Sequence, residues 1–199
     1  MRTMPQLLKL SARLTPHLLA IGVIGFTAIG AVNADQGADK KKVIIDSANF
    51  QKVVDNPYFP LVRGTTFMYM EKLGKDTSEN EVTVTHDTKV IMGISCVVVH
   101  DVVRHKGIVQ EETLDWYAQD KQGNVWYIGE DTKEFMGNGK ASTEGSWQMG
   151  VDKAEPGIVM MSKPAIGEPY RQEYYPGQAE DMGQIVSAGD SVTVPFGSF

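Results

Sequence analysis

A chain of 199 residues with 42% hydrophobic and 22% charged residues has the balance of one ordinary globular domain, which excludes a wholly disordered or fibrous chain. Its net charge of −6 and pI near 5.2 offer no overall attraction to nucleic acid or to an anionic membrane. The single cysteine, Cys96, excludes an intrachain disulfide framework and an all-cysteine zinc site.

Residues 1–34 read as an export signal. Arg2, Lys9 and Arg13 precede or border an apolar run from Leu18 to Val32, and no acid occurs before Asp35. The run has the length of a signal-peptide core and is shorter than a membrane span, which argues against the competing reading as an uncleaved anchor. Val32 and Ala34 then supply the small residues of a cleavage site ahead of Asp35. With no cysteine after the run and no twin arginine, the general secretory route is the simpler expectation. The protein is thus expected in the periplasm or the extracellular medium, with no stable membrane span after cleavage. Removing 34 of 199 residues takes away those three basic residues and no acid, so the mature chain has 165 residues and its charge falls from −6 to −9.

Residues 35–54 read as a polar leader containing Lys40-Lys41-Lys42, with a short helical turn near 47–54, and 55–199 as a single β domain. β-rich segments lie at 65–71, 81–91, 95–105, 108–120 and 123–135, with weaker ones near 141–149, 157–163, 170–175 and 191–196. A second helical turn is expected near 179–187. The segments are punctuated by Gly74, Met92-Gly93, Lys106-Gly107, Gln122-Gly123-Asn124 and Gly137-Asn138-Gly139. Links this short cannot hold crossover helices, so neighbours should be antiparallel. The expected fold is all-β: an antiparallel meander forming a curved sheet or a partly closed barrel.

Alternation in 81–91 puts Val82, Val84, His86, Thr88 and Val90 on one face. Two-residue turns at Met92-Gly93 and Lys106-Gly107 would place His86 opposite Val99, and Asp101 opposite Glu112. Val97, Val99, Asp101 and Val103 would then share an inner face with Glu112, Leu114 and Trp116. The next strand would add Val125, Tyr127, Gly129 and Asp131 to it. Cys96, Val98, Tyr117, Trp126 and Ile128 would point to the other side, too apolar to be solvated and expected to be covered by 150–169. A slip of one residue would invert this assignment.

On these registers His86, Asp101, Glu112 and Asp131 gather on the inner face beside Trp116 and Tyr127. A histidine among carboxylates suits a divalent metal or proton transfer, and these four are the candidate metal ligands. His86, Asp101, Glu112, Trp116 and Tyr127 are the candidate ligand-binding residues. The competing reading is a wet sheet rim or a hydrogen-bonded structural network. Cys96 and His100 are no nucleophile–base pair, because four strand residues separate them by roughly 13 Å. The eight methionines of the mature chain are scattered and read as core filling rather than a Cu(I) site. Asp120-Lys121-Gln122-Gly123-Asn124 lacks the acids of a calcium loop and reads as a hairpin turn. No nucleophile elbow, phosphate loop, dinucleotide fingerprint or zinc-protease helix occurs, and no cofactor is indicated.

Several strings resemble a family of exported bacterial β-rich proteins without an assigned activity. They are Asp55-Asn56-Pro57-Tyr58-Phe59-Pro60-Leu61, Asp115-Trp116-Tyr117-Ala118-Gln119-Asp120, Gly123-Asn124-Val125-Trp126-Tyr127, Gly129-Glu130-Asp131-Thr132 and Tyr170-Arg171-Gln172-Glu173-Tyr174-Tyr175. The resemblance lends no catalytic residue. It implies that further strands follow 191–199 in members of this kind, so that an edge strand stands unpaired here. The reading that results is an exported non-catalytic binding or envelope-associated protein holding a small, apolar or lipid-like ligand in the concave face. The alternatives are a metal-dependent hydrolase using the His86–carboxylate set, and a surface interaction module without a pocket.

Overall fold

The computed structural model describes residues 45–199 apart from 74, 75 and 138. The expected export signal, the lysine triplet and the tips of two expected turns lie outside the described residues. A 3-10 turn at Ser47–Asn49, capped by Asp46 Oδ1 accepting from Ala48 N, leads into β1 (Phe50–Gln51). Then come β2 (Thr66–Leu73), β3 (Asp76–Ile91), β4 (Ile94–His105), β5 (Ile108–Asp120) and β6 (Val125–Met136). Shorter strands follow: β7 (Lys140–Ser142), β8 (Trp147–Gln148), β9 (Glu155–Met160), β10 (Tyr170–Arg171), β11 (Glu173–Tyr174), β12 (Met182–Gly183), β13 (Thr193–Val194) and β14 (Gly197–Ser198).

One antiparallel sheet runs in the order β11-β9-β6-β5-β4-β3-β2, with β1 added to β5 and both β7 and β8 added to β6. It is strongly curled, a half-barrel, which is the all-β meander the turn spacing predicts. The pairs β10–β12 and β13–β14 form two small ribbons outside it. The second expected helical turn is not formed. Its place is taken by a bridge from Tyr175 to Ala179 and by β12.

Both tight turns have the expected length. Met92-Gly93 and Lys106-Gly107 carry positive φ at both positions, the twist that matches flanking strands, so Ile91 pairs with Ile94 and His105 with Ile108. The registers then change along the strands. In β3 the residues Thr85, His86 and Asp87 bulge opposite Val98, and Val84 meets Val99 while Val82 meets Asp101. In β5 one extra residue, Gln110, shifts the pairing so that Asp101 meets Thr113, Val99 meets Asp115 and Val97 meets Tyr117. In β6 the extra residue is Ile128; beyond it Gly129 pairs with Trp116 and Glu130 with Asp115. Bulges bend a strand and increase its twist, so three of them in neighbouring strands account for part of the curl.

The single extra residue in β5 corrects the expected faces. With Val84, Val97 and Val99 defining the front, Glu111, Thr113, Asp115, Tyr117 and Gln119 point to the front, and Glu112, Leu114 and Trp116 to the back. The bulge in β6 likewise brings Glu130 and Thr132 forward and turns Asp131 to the back.

Each face has its own core. On the front, Val84, Val97, Val99, Tyr117, Val125 and Tyr127 pack with Val54, Leu61, Trp147, Ala154, Val159 and Ala179. On the back, Ile91, Ile94, Cys96, Val98, Trp116 and Ile128 pack with Met149, Ile45 and Phe50. The cover of the back is therefore the 45–50 segment, with β1 paired to the end of β5, and not the 150–169 stretch, which lies against the front. Gly129 marks where β8 meets β6: a Cβ there would stand 2.4 Å from Trp147 O.

Candidate functional site

The front face changes character along its length. Toward Tyr117 and Tyr127 it is apolar and aromatic; toward Asp101 and Glu111 it is acidic. The rings of Tyr117 and Tyr127 stack at 4.8 Å, and Trp147 meets Tyr127 edge-on at 5.4 Å. Around them Asp101, Glu111, Asp115, Glu130 and Glu173 are all buried. Asp115 and Glu130 are direct cross-strand partners, an arrangement of like charges that costs stability when both are ionised.

The acids have few donors. Tyr127 Oη donates to Asp115 Oδ1 at 2.5 Å, and Trp147 Nε1 to Glu173 Oε2 at 2.8 Å. Thr113 Oγ1 lies 3.3 Å from Glu111 Oε1 and 2.7 Å from Thr132 Oγ1. Three buried acceptors on this face, Asn80 Oδ1, Asp101 Oδ1 and Glu130 Oε2, have no hydrogen-bond partner among the described residues.

Burial raises every one of these carboxyls, since the charged form loses its hydration. It lifts Asp101 to about 6, opposed by a hydrogen bond from Asn80, and Glu111 to about 7, opposed by Thr113. Glu173 reaches about 8, with the charge of Asp181 adding to burial. Asp115 and Glu130 rise well above the ordinary carboxylate range: burial acts first, then the charge of neighbouring acids, while Tyr127 pulls the other way. Burial, and after it the charge of Asp115, raises both tyrosines, which stay neutral.

Of the residues the sequence nominated, the structure brings Asp101 and Tyr127 to this face and no others. His86 is exposed in the β3 bulge beside Gly64. That bulge is held by Arg63, whose Nη1 donates to Thr85 O and Asp87 O and whose Nη2 donates to Thr88 Oγ1. Glu112 is on the back with its Oε1 2.9 Å from His100 Nε2. Trp116 is in the back core beneath Lys89 Nζ, 3.2 Å from the ring centre, with Asp131 close enough to act on Lys89. The four nominated metal ligands are thus dispersed over a bulge, the front and the back. Among the described residues no three His, Cys, Asp or Glu side chains are grouped to hold a metal ion. A cleft of about 250 Å³ opens beside the bulge between residues 53–55, 61–63 and Val97, but Arg63 on its rim is engaged by the bulge.

Sequence reasoning missed Glu111, Asp115, Glu130 and Glu173. The available signal was the string of polar odd positions Glu111, Thr113, Asp115 and Gln119 in one strand, which the rule that buried faces are apolar discards. Comparison with known proteins finds no match: no family model, no curated protein and no solved structure is significantly similar to this chain. Among the described residues no helix is long and apolar enough to cross a membrane.

Proposed function

We propose that the chain is an exported, non-catalytic binding protein that holds a small ligand against the front of its half-barrel. One observation supports this above the rest: the buried oxygens Asn80 Oδ1, Asp101 Oδ1 and Glu130 Oε2 have no donor among the described residues, on a face that also carries an aromatic wall. Buried polar groups in folded proteins are ordinarily paired, and leaving one unpaired costs about 1–3 kcal/mol. A row of them is a cost that a ligand with donors removes, and few polar groups beside aromatic surface are the usual makeup of a ligand site. The residues assigned to it are Asp101, Glu111, Asp115, Tyr127 and Glu130.

Two measurements test the reading. Native mass spectrometry of the full-length gene product purified under gentle conditions should show a bound small molecule, or a thermal-shift screen should find one that stabilises it. A protein free of any such mass and unmoved by the screen would remove the binding claim. N-terminal sequencing of the exported product should begin at Asp35; a chain retained with Met1 intact would remove the export claim.

A further inference from the structure

Resting on that reading of the front face, we infer that its ligand is an aliphatic amine with more than one ammonium group, a linear di- or polyamine laid across the acid row. The first argument is chemical complementarity. The three orphaned groups of this face, Asn80 Oδ1, Asp101 Oδ1 and Glu130 Oε2, are acceptors when the two carboxyls are ionised, so the partner that suits that state is a donor. Asp101 and Glu130 are at least nine-tenths buried. The second is charge. Among the described residues the groups acting most strongly on Asp115 and Glu130 are other acids and the Tyr127 hydroxyl, and the ion pairs His100–Glu112, Arg104–Glu81 and Lys106–Asp76 do not touch them. A cation seated here turns mutual repulsion into attraction.

The third argument is spacing. Asn80 is on β3, Asp101 on β4, Glu111 and Asp115 on β5, and Glu130 on β6, successive strands of one sheet. Neighbouring strands lie about 4.8 Å apart and residues sharing a face about 6.7 Å apart along a strand; Asn80 shares a cross-strand row with Glu111, Asp101 is in the next row and Asp115 with Glu130 in the one after, so the acceptors form a diagonal line across the sheet. A single metal ion needs its oxygens gathered within about 2.0–2.6 Å of one point, which this line does not provide and which matches the lack of a grouped ligand set among the described residues. A chain with ammonium groups separated by a few carbons distributes its donors along such a line. Its methylenes meet aromatic side chains, because Phe67 stacks on Tyr69 at one end of the row and Tyr117 on Tyr127 at the other. Acid continues outward from the row: Glu71 is exposed and Glu134 half-buried at the end where Tyr69 is exposed.

The test is calorimetric titration of the purified full chain at low ionic strength and pH 7.5 with spermidine, n-butylamine, MgCl2 and CaCl2 in turn. Spermidine should bind saturably at one site and raise the melting temperature, with butylamine weaker by about tenfold or more, because it engages one acid where spermidine engages several. The double variant Asp101→Asn/Glu130→Gln should lose about tenfold or more in spermidine affinity. Neutralising buried acids relieves repulsion, so this variant should stay folded, which circular dichroism checks. Glu112→Gln, on the back, should bind as the parent does. Saturable binding of Mg2+ or Ca2+ without spermidine would overturn the amine and leave the ligand-binding face standing. Spermidine binding that the double variant does not weaken would overturn the site, reducing the effect to attraction by an acidic chain. No binding by any probe, together with no co-purifying molecule, would remove both readings.

Discussion

Glu173→Gln isolates the cost of burying one acid. Glu173 is 4% exposed, and its Oε2 accepts from Trp147 Nε1. Burial and then the charge of Asp181 lift its carboxyl from the ordinary 4.5 to about 8. Between those values the folded protein holds a proton that the unfolded chain has released. The associated stability is therefore complete below about 4.5 and is lost as the pH rises toward 8. Each pH unit across that window costs about 1.4 kcal/mol, so at pH 7 Glu173 burdens the fold by roughly 3 kcal/mol. Glutamine keeps an acceptor for Trp147 and cannot ionise. Urea unfolding followed by tryptophan fluorescence should find parent and variant within about 1 kcal/mol of each other at pH 5, and the variant more stable by roughly 3 kcal/mol at pH 7. Equal stability at both pH values would refute the reasoning, as would a variant weakened at pH 7, since either result means that Glu173 is ionised in the fold without penalty.

Tyr127→Phe removes the donor to Asp115 Oδ1 and should cost about 1–3 kcal/mol; because that donor favours the ionised acid, urea titrations should show a larger loss at pH 8 than at pH 5. Gly129→Ala places a methyl against Trp147 O at a position whose φ is +147°, so it should detach β8, lower stability by about 2 kcal/mol or more, and shift the fluorescence of Trp147 to the red; an unchanged spectrum would contradict the close approach. Cys96 has no exposed surface and its thiol is pushed up to about 12, so a thiol reagent should label it in urea within minutes and in native buffer only as fast as the protein opens.

The strands, their antiparallel order and two tight turns were legible because each has a local cause: Met92-Gly93 and Lys106-Gly107 adopt positive φ, and alternation marks 81–91. The burial of Cys96 was legible from the valines beside it. The site was not, and two single-residue bulges account for most of it. Gln110 carries no glycine or proline signal of a bulge, yet it exchanges the faces of everything between Glu111 and Gln119. Glu112 thereby left the expected cluster and Glu111 and Asp115 entered it, while the second bulge, at Ile128, exchanged Asp131 for Glu130. His86 failed for a different cause: the bulge that exposes it is fixed by Arg63, a residue 23 positions away whose guanidinium finds carbonyls no local pattern reveals. Glu173 comes to the site through β11, a two-residue strand too short to carry a period.

The unbulged register of β5 would have hidden Leu114 and Trp116 on the front and turned the acids away, a cheaper solution by burial alone. The observed register buries an aromatic ring on each side. Tyr117 stacks on Tyr127 in the front core, while Trp116 joins Ile128 in the back core under the Lys89 ammonium. Either register buries one large ring per face, so the choice between them turns on the acids, and their cost depends on charge state. In acid they are protonated and the observed register is inexpensive; at neutral pH Asp101 and Glu111 begin to ionise within it. An ammonium chain on the row does at neutral pH what protons do in acid. Saturating spermidine should therefore flatten the decline of stability between pH 5 and pH 8 that Asp101 and Glu111 cause, measured by urea unfolding across that range. The same decline in the presence and absence of spermidine would mean that the amine, if it binds, binds elsewhere.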